Sequence, residues 1–131
     1  MHYSDWEQRQ MDIKSGEELD RRTAETPRTT LADGTQVYPQ HTEINPRTGQ
    51  QRDYVVLAEE ERAKGFVRPV RRTYKHLKCG STTTMAQTIA ETYARDPYFY
   101  SGTFCVACSS HFPVGEDGEF VWDGTNEKVG T

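Results

Sequence analysis

His76-Leu77-Lys78-Cys79-Gly80 and Cys105-Val106-Ala107-Cys108 decide how this chain is to be read. Each is a ligand-x2-ligand step. That spacing lets one tight turn present two side chains to a single ion, with backbone N–H groups free to bond the sulfurs. Gly80, directly after Cys79, suits the positive φ that such a turn often needs. Between the two steps lie 25 residues, room for a helix and a returning strand. One imidazole and three thiols with no spare carboxylate describe a closed tetrahedral zinc site of the structural kind, whereas catalytic zinc keeps a position open to water. The expected ligands are His76, Cys79, Cys105 and Cys108, holding one structural zinc ion. The competing reading is of buried thiols or a redox dithiol. A lone Cys-x2-Cys pair would fit it, but it does not use the His76 step, and the βαβ context of a thioredoxin-like motif is missing.

His111 repeats the spacing once more in Cys108-Ser109-Ser110-His111, so five candidates compete for four places. His76 ranks first because a His-x2-Cys knuckle pairs naturally with a Cys-x2-Cys knuckle. His111 remains the alternative ligand, a hydrogen-bond partner for a cysteine sulfur, or a surface residue. An enzymatic reading also has to be weighed. Zinc nucleobase deaminases join His-x-Glu to Pro-Cys-x2-Cys, with the Glu as proton shuttle. Here His41-Thr42-Glu43 is distant, Phe104 stands where the proline belongs, and His76 and Cys79 would have no purpose. No nucleophile constellation and no glycine-rich phosphate loop stands out, so the chain is not expected to be an enzyme.

Working outward from the cysteines, three thiols cannot close a complete disulfide framework, which points to a reducing compartment. No apolar run approaches the roughly 18 residues that a membrane span requires. The start, Met1-His2-Tyr3-Ser4-Asp5-Trp6, lacks the basic and then apolar order of a secretory signal. The length of 131 residues suits one domain, but the hydrophobic fraction of 34% implies a modest core. A metal, a disulfide or a partner's surface commonly offsets such a shortage.

That core is expected in the second half, giving a polar arm over 1–52 and a zinc-binding domain over 53–131. In the arm, Asp5 to Arg22 could form a short helix around Trp6, Met11 and Ile13, and residues 36–38 and 42–45 could form short strands. The arm's other features are turn signals at Asp33-Gly34, Asn45-Pro46 and Thr48-Gly49. Tyr54-Val55-Val56-Leu57 reads as a strand and Ala58 to Lys64 as a brief helix stopped by Gly65. Phe66 to His76 reads as an extended segment at a sheet edge because of Pro69. The main helix is expected at about 82–95, capped by Ser81, Thr82 and Thr83, with Met85, Ile89 and Tyr93 on one face and Asp96-Pro97 ending it. A short strand at Phe120-Val121-Trp122 precedes a polar end. The expected class is α+β, a small zinc-ribbon-like domain with an extended N-terminal arm.

Charge is uneven. Arg68, Arg71, Arg72, Lys75 and Lys78 form a basic island, with Phe66 and Tyr74 among them, in a chain of net charge −4. Basic and aromatic side chains beside a zinc knuckle make a plausible nucleic-acid platform. The plainer alternative is an edge strand protected by positive charge, its arginines paired to Glu59, Glu60 and Glu61.

The chain also resembles a group of small zinc-knuckle, zinc-ribbon-like proteins encoded by tailed bacteriophages. The residues that carry the likeness are Asp53 to Leu57, Glu61-Arg62-Ala63-Lys64-Gly65-Phe66-Val67-Arg68-Pro69-Val70-Arg71, His76-x2-Cys79-Gly80, Ile89 to Pro97, Thr103-Phe104-Cys105-x2-Cys108-x2-His111-Phe112-Pro113 and Phe120 to Thr125. The resemblance covers about 60% of the chain and fades before residue 50. It implies a phage source and zinc, and it brings no activity with it. Two functions are expected from this reading. The first is a non-enzymatic virion component of capsid-surface or neck type, part of an assembly, which binds neighbouring phage structural proteins. The second is a phage regulatory protein that binds nucleic acid through residues 66–78. The corresponding locations are the virion or the host cytoplasm, without a membrane.

Overall fold

The computed structural model describes residues 27–131. Its elements in chain order are β1 (Thr29–Leu31), a 3-10 turn (Pro39–Thr42), β2 (Val55–Leu57), α1 (Glu59–Arg62), β3 (Thr73–His76), β4 (Thr82–Thr84), α2 (Gln87–Arg95), β5 (Gly102–Cys105), β6 (Ser110–Pro113) and β7 (Phe120–Trp122). All strand pairs are antiparallel. They form a β1-β2 ribbon, a three-stranded sheet in the order β4-β3-β7, and a β5-β6 hairpin. The protein is a small α+β domain of short strands and one main helix.

Aromatic side chains fill the centre. Tyr74 of β3, Tyr93 of α2, and Phe120 and Trp122 of β7 are buried together with Met85, Ala90, Cys105 and Val129. Tyr74 meets both Phe120 and Trp122 edge-on, and Trp122 meets Tyr93 in the same way. That is the arrangement ring quadrupoles favour. The tail, expected to end in polar residues, returns instead to the core. Val129 is fully buried, and its N–H donates to the Phe120 carbonyl.

Helix α2 begins five residues later than expected. Thr82–Thr84 pair with Thr73–Lys75, because three successive β-branched residues are stiff and fit a pleated strand better than a helical turn. Ser81, Thr82 and Thr83 therefore do not cap the helix. Ala86 holds the N-cap position and makes no side-chain cap bond. The extended segment expected at 66–76 shrinks to Thr73–His76. The N–H groups of Val67 and Arg68 turn instead to the Ala94 carbonyl, one of the acceptors a helix end leaves open.

The helix expected at Asp5–Arg22 lies outside the described residues. Over residues 27–52, the described part of the expected arm, the chain makes contacts with the rest of the domain. Leu31 is buried, and β1 runs against β2 with Leu31 opposite Val55. Thr88 donates to the Ala32 carbonyl, and the Leu57 N–H donates to Thr92 Oγ1. Helix α2 thus bonds to both sides of the ribbon. The expected strand at 36–38 does not form, and residues 42–45 contribute only the end of the 3-10 turn and a bridge from Ile44 to Gln51.

Candidate metal centre

His76 ends β3, and the chain then turns through Leu77 and Lys78 to Cys79. Cys105 ends β5, and the turn through Val106 and Ala107 brings Cys108 round before β6 begins. The two turns have the same construction. Gly80 donates its N–H to the His76 carbonyl at 2.7 Å and has φ 77°. Ser109 donates to the Cys105 carbonyl at 2.8 Å and has φ 56°. The second knuckle is also tied to the strand that follows the first, because the Val106 N–H donates to Thr83 Oγ1 on β4.

These turns place one donor atom from each of His76, Cys79, Cys105 and Cys108 within 4.8 Å of all the others. For an ion of zinc's bond lengths, a regular tetrahedron has edges of about 3.8 Å between sulfurs and about 3.6 Å between sulfur and nitrogen. The Cys79 and Cys105 sulfurs are 3.6 Å apart, and Cys108 Sγ lies 3.6 Å from His76 Nδ1. The donor set and its spacing fit one four-coordinate metal ion, which these residues would hold through three sulfurs and Nδ1.

Electrostatics points the same way. The Ser81 N–H donates to Cys79 Sγ and, with help from His76 and Cys105, brings that thiol down to about 6. Cys108 is exposed as a residue, but its sulfur faces the cluster. Loss of water there, with the Cys105 and Cys79 sulfurs alongside, pushes its thiol up to about 11. Cys108 therefore resists ionisation in this setting. A bound cation removes that resistance, since it becomes the largest local charge.

Several supports of the site were not legible in the sequence. His76 is 2% exposed, and its ring packs against both Phe112 and Phe120 at centroid distances of 4.5 and 4.7 Å. Its Nε2 bonds Glu119 Oε1 at 2.8 Å, leaving Nδ1 for the cluster. A carboxylate behind a ligating histidine fixes its tautomer and ring orientation. His76 holds the Glu119 carboxyl below its ordinary value, with Lys78 adding to the effect from 3.5 Å. No spacing rule connects Glu119 to His76, because the contact arises from β3 pairing with β7.

His111, the fifth candidate, sits outside the cluster on β6. Its Nε2 shares a hydrogen bond with the Tyr54 hydroxyl at 2.9 Å, and burial lowers its pKa. His41 of the deaminase-like motif lies in the 3-10 turn, away from the four donors. The basic island is largely committed within the chain. Arg71 pairs with Glu127 at 2.6 Å and lies over the Trp122 ring. Arg72 donates to the Met85 carbonyl, Arg68 to the Thr131 and Val67 carbonyls, and Lys78 faces Glu119. None of these partners is Glu59, Glu60 or Glu61. No helix among the described residues is long and apolar enough to cross a membrane. Comparison with known proteins finds no match to any family model, curated protein or solved structure.

Proposed function

We propose that this chain is a non-enzymatic, zinc-stabilised interaction protein of a tailed bacteriophage, a virion component of capsid-surface or neck type that binds neighbouring structural proteins. The observation that carries the metal half is the convergence of three sulfurs and His76 Nδ1 within 4.8 Å of one another, two of the pairs at 3.6 Å. Soft donors filling all four places favour zinc in a structural role, and the paired knuckles support a zinc-ribbon-like description of the domain.

Exposed apolar side chains support the interaction half. Leu77 and Val106 occupy the same place in the two knuckles, one residue past the first ligand, and are 50% and 57% exposed. Phe66 and Val67 are also about half exposed. A chain with so small a core gains from covering such residues in an assembly. The nucleic-acid reading has less support, because phosphate contacts need free cations and Arg71, Arg72 and Lys78 are engaged inside the chain.

Two measurements test the proposal separately. Elemental analysis of the purified protein should give one zinc per chain, and a folded, metal-free protein would overturn the metal half. Mass spectrometry of purified virions should find the chain at a fixed ratio to the major structural proteins. Its absence from particles, together with salt-dependent binding to DNA or RNA, would replace the structural role with the regulatory one.

A further inference from the structure

A cavity of about 210 Å³ lies beside the aromatic core, lined chiefly by Tyr54, Met85, Ile89, Tyr93, Tyr100 and Phe104. Gln50, Thr84 and Ala86 border it and are exposed, so its mouth lies among them. Among the described residues, no Asp, Glu, Lys, Arg or His lines it. An apolar cavity of about 150 Å³ suffices to admit benzene. This one has room for a single ring carrying a few further heavy atoms.

Its walls are hydroxyl-rich, yet nearly all of those hydroxyls are committed. Tyr54 is paired with His111, Tyr74 donates to the Phe104 carbonyl, and Tyr100 donates to the Val55 carbonyl. Thr83 accepts from the Val106 N–H, Thr84 pairs with Thr73, and Thr103 donates to Tyr74. The exception is Tyr93. Its residue is 3% exposed, and its hydroxyl is buried with no hydrogen-bond partner among the described residues. Thr103 comes near enough to favour the Tyr93 oxygen slightly, but no bond of ordinary geometry joins the two. The groups that act on this hydroxyl, Tyr100, Thr103 and Tyr74, all line the cavity, so it faces that side of the ring.

A buried hydroxyl left unpaired costs about 1–3 kcal/mol, and such groups in native proteins call for an explanation. We propose that the cavity binds a small, neutral aromatic molecule whose one polar atom pairs with the Tyr93 hydroxyl. The size sets one ring, the tyrosine and phenylalanine walls favour a flat apolar body, and the uncharged lining excludes an ion, which would be desolvated without a counter-charge. The site is separate from the metal donors and does not depend on which partner the protein binds.

The test uses the full-length, zinc-loaded protein labelled for NMR, with phenol, toluene and benzoate as probes. Phenol is expected to shift the resonances of Met85, Ile89, Tyr93 and Thr103 saturably, and benzoate to leave them unmoved. Tyr93→Phe removes the unpaired hydroxyl without orphaning any partner, so this variant should fold. It should weaken phenol about three- to tenfold, the fold-change of one neutral hydrogen bond, and leave toluene within about twofold. The proposal is overturned if no probe moves these resonances in a well-dispersed spectrum, which would mean that water alone or a partner's side chain fills the space. It is also overturned if benzoate binds as well as phenol, or if Tyr93→Phe leaves phenol binding unchanged.

Discussion

Ser109 and Gly80 hold equivalent places in the two knuckles, one residue past the second ligand, and both have positive φ. Only glycine takes that conformation without steric cost. Ser109→Gly should therefore stabilise the protein by about 0.5–1 kcal/mol, the strain relieved less the added freedom of the unfolded chain. A higher thermal midpoint with unchanged zinc content would show it. A second expectation concerns Glu119, whose carboxylate bonds His76 Nε2 and also faces Lys78 of the same knuckle. Glu119→Ala should keep a folded protein but weaken zinc about 10–100-fold in a chelator competition, while His111→Ala should leave zinc affinity unchanged. Loss of zinc in the His111 variant would move the ligand set to Cys79, Cys105, Cys108 and His111. His111 also sets a pH dependence. Burial lowers its pKa below 6.5, so the folded state prefers the neutral ring. As pH falls, the unfolded chain binds the proton first, and stability declines from the unfolded value down to the folded one. His111→Gln can still bond Tyr54 and should flatten this part of the acid slope, measured as the difference in thermal midpoint from the parent protein.

At the scale of elements, helix α2 is held by its neighbours more than by its own ends. Its N-cap, Ala86, leaves the first-turn N–H groups without a side-chain acceptor, whereas Thr92 and Thr88 bond the β1-β2 ribbon. Ala86→Ser should supply the missing acceptor and add about 0.5–1 kcal/mol. Denaturant unfolding would register this as a higher midpoint with an unchanged slope. The same site explains why the helix starts later than the spacing predicts. Ser81, Thr82 and Thr83 are good caps and good strand residues alike, and pairing with Thr73–Lys75 chose the strand. Val55-Val56-Leu57, Gln87–Arg95 and Phe120-Val121-Trp122 were legible, since β-branched runs and four-residue spacing carry their own signal. β6 was not, because its residues acquire a strand only by pairing with β5 across the knuckle.

For the molecule as a whole, the question is how residues 27–52 attach to the part that carries the candidate metal site. Leu31 anchors them through β1, and Gly49 presses against the backbone of Ser109 in the second knuckle, where an added Cβ would strike the Ser109 carbonyl. Leu31→Ala should cost about 2–4 kcal/mol. Gly49→Ala, with its positive φ of 81° and that collision, should cost about 1–3 kcal/mol. Hydrogen exchange on a demonstrated monomer should find the amides of Ala32 and Arg52 protected, since they donate to Tyr54 and Glu43. Rapid exchange at both would return this segment to the role of an arm ordered by a partner.

The sequence by itself picked out the three thiols as candidate metal donors, because a ligand-x2-ligand step encodes its geometry locally. It also determined the α+β class and the positive φ at Gly80. Only the tertiary structure decided between His76 and His111 as the residue beside the sulfurs, since both have the same spacing and the difference lies in β3 pairing with β7 while β6 turns His111 toward Tyr54. It likewise decided that Glu119 backs His76, that Val129 completes the core, and that residues 29–31 pair with β2 and bury Leu31. The physical reason is common to all four. Local patterns report short-range backbone preference and donor chemistry, whereas burial and pairing between distant segments are settled only when the strands find their registers.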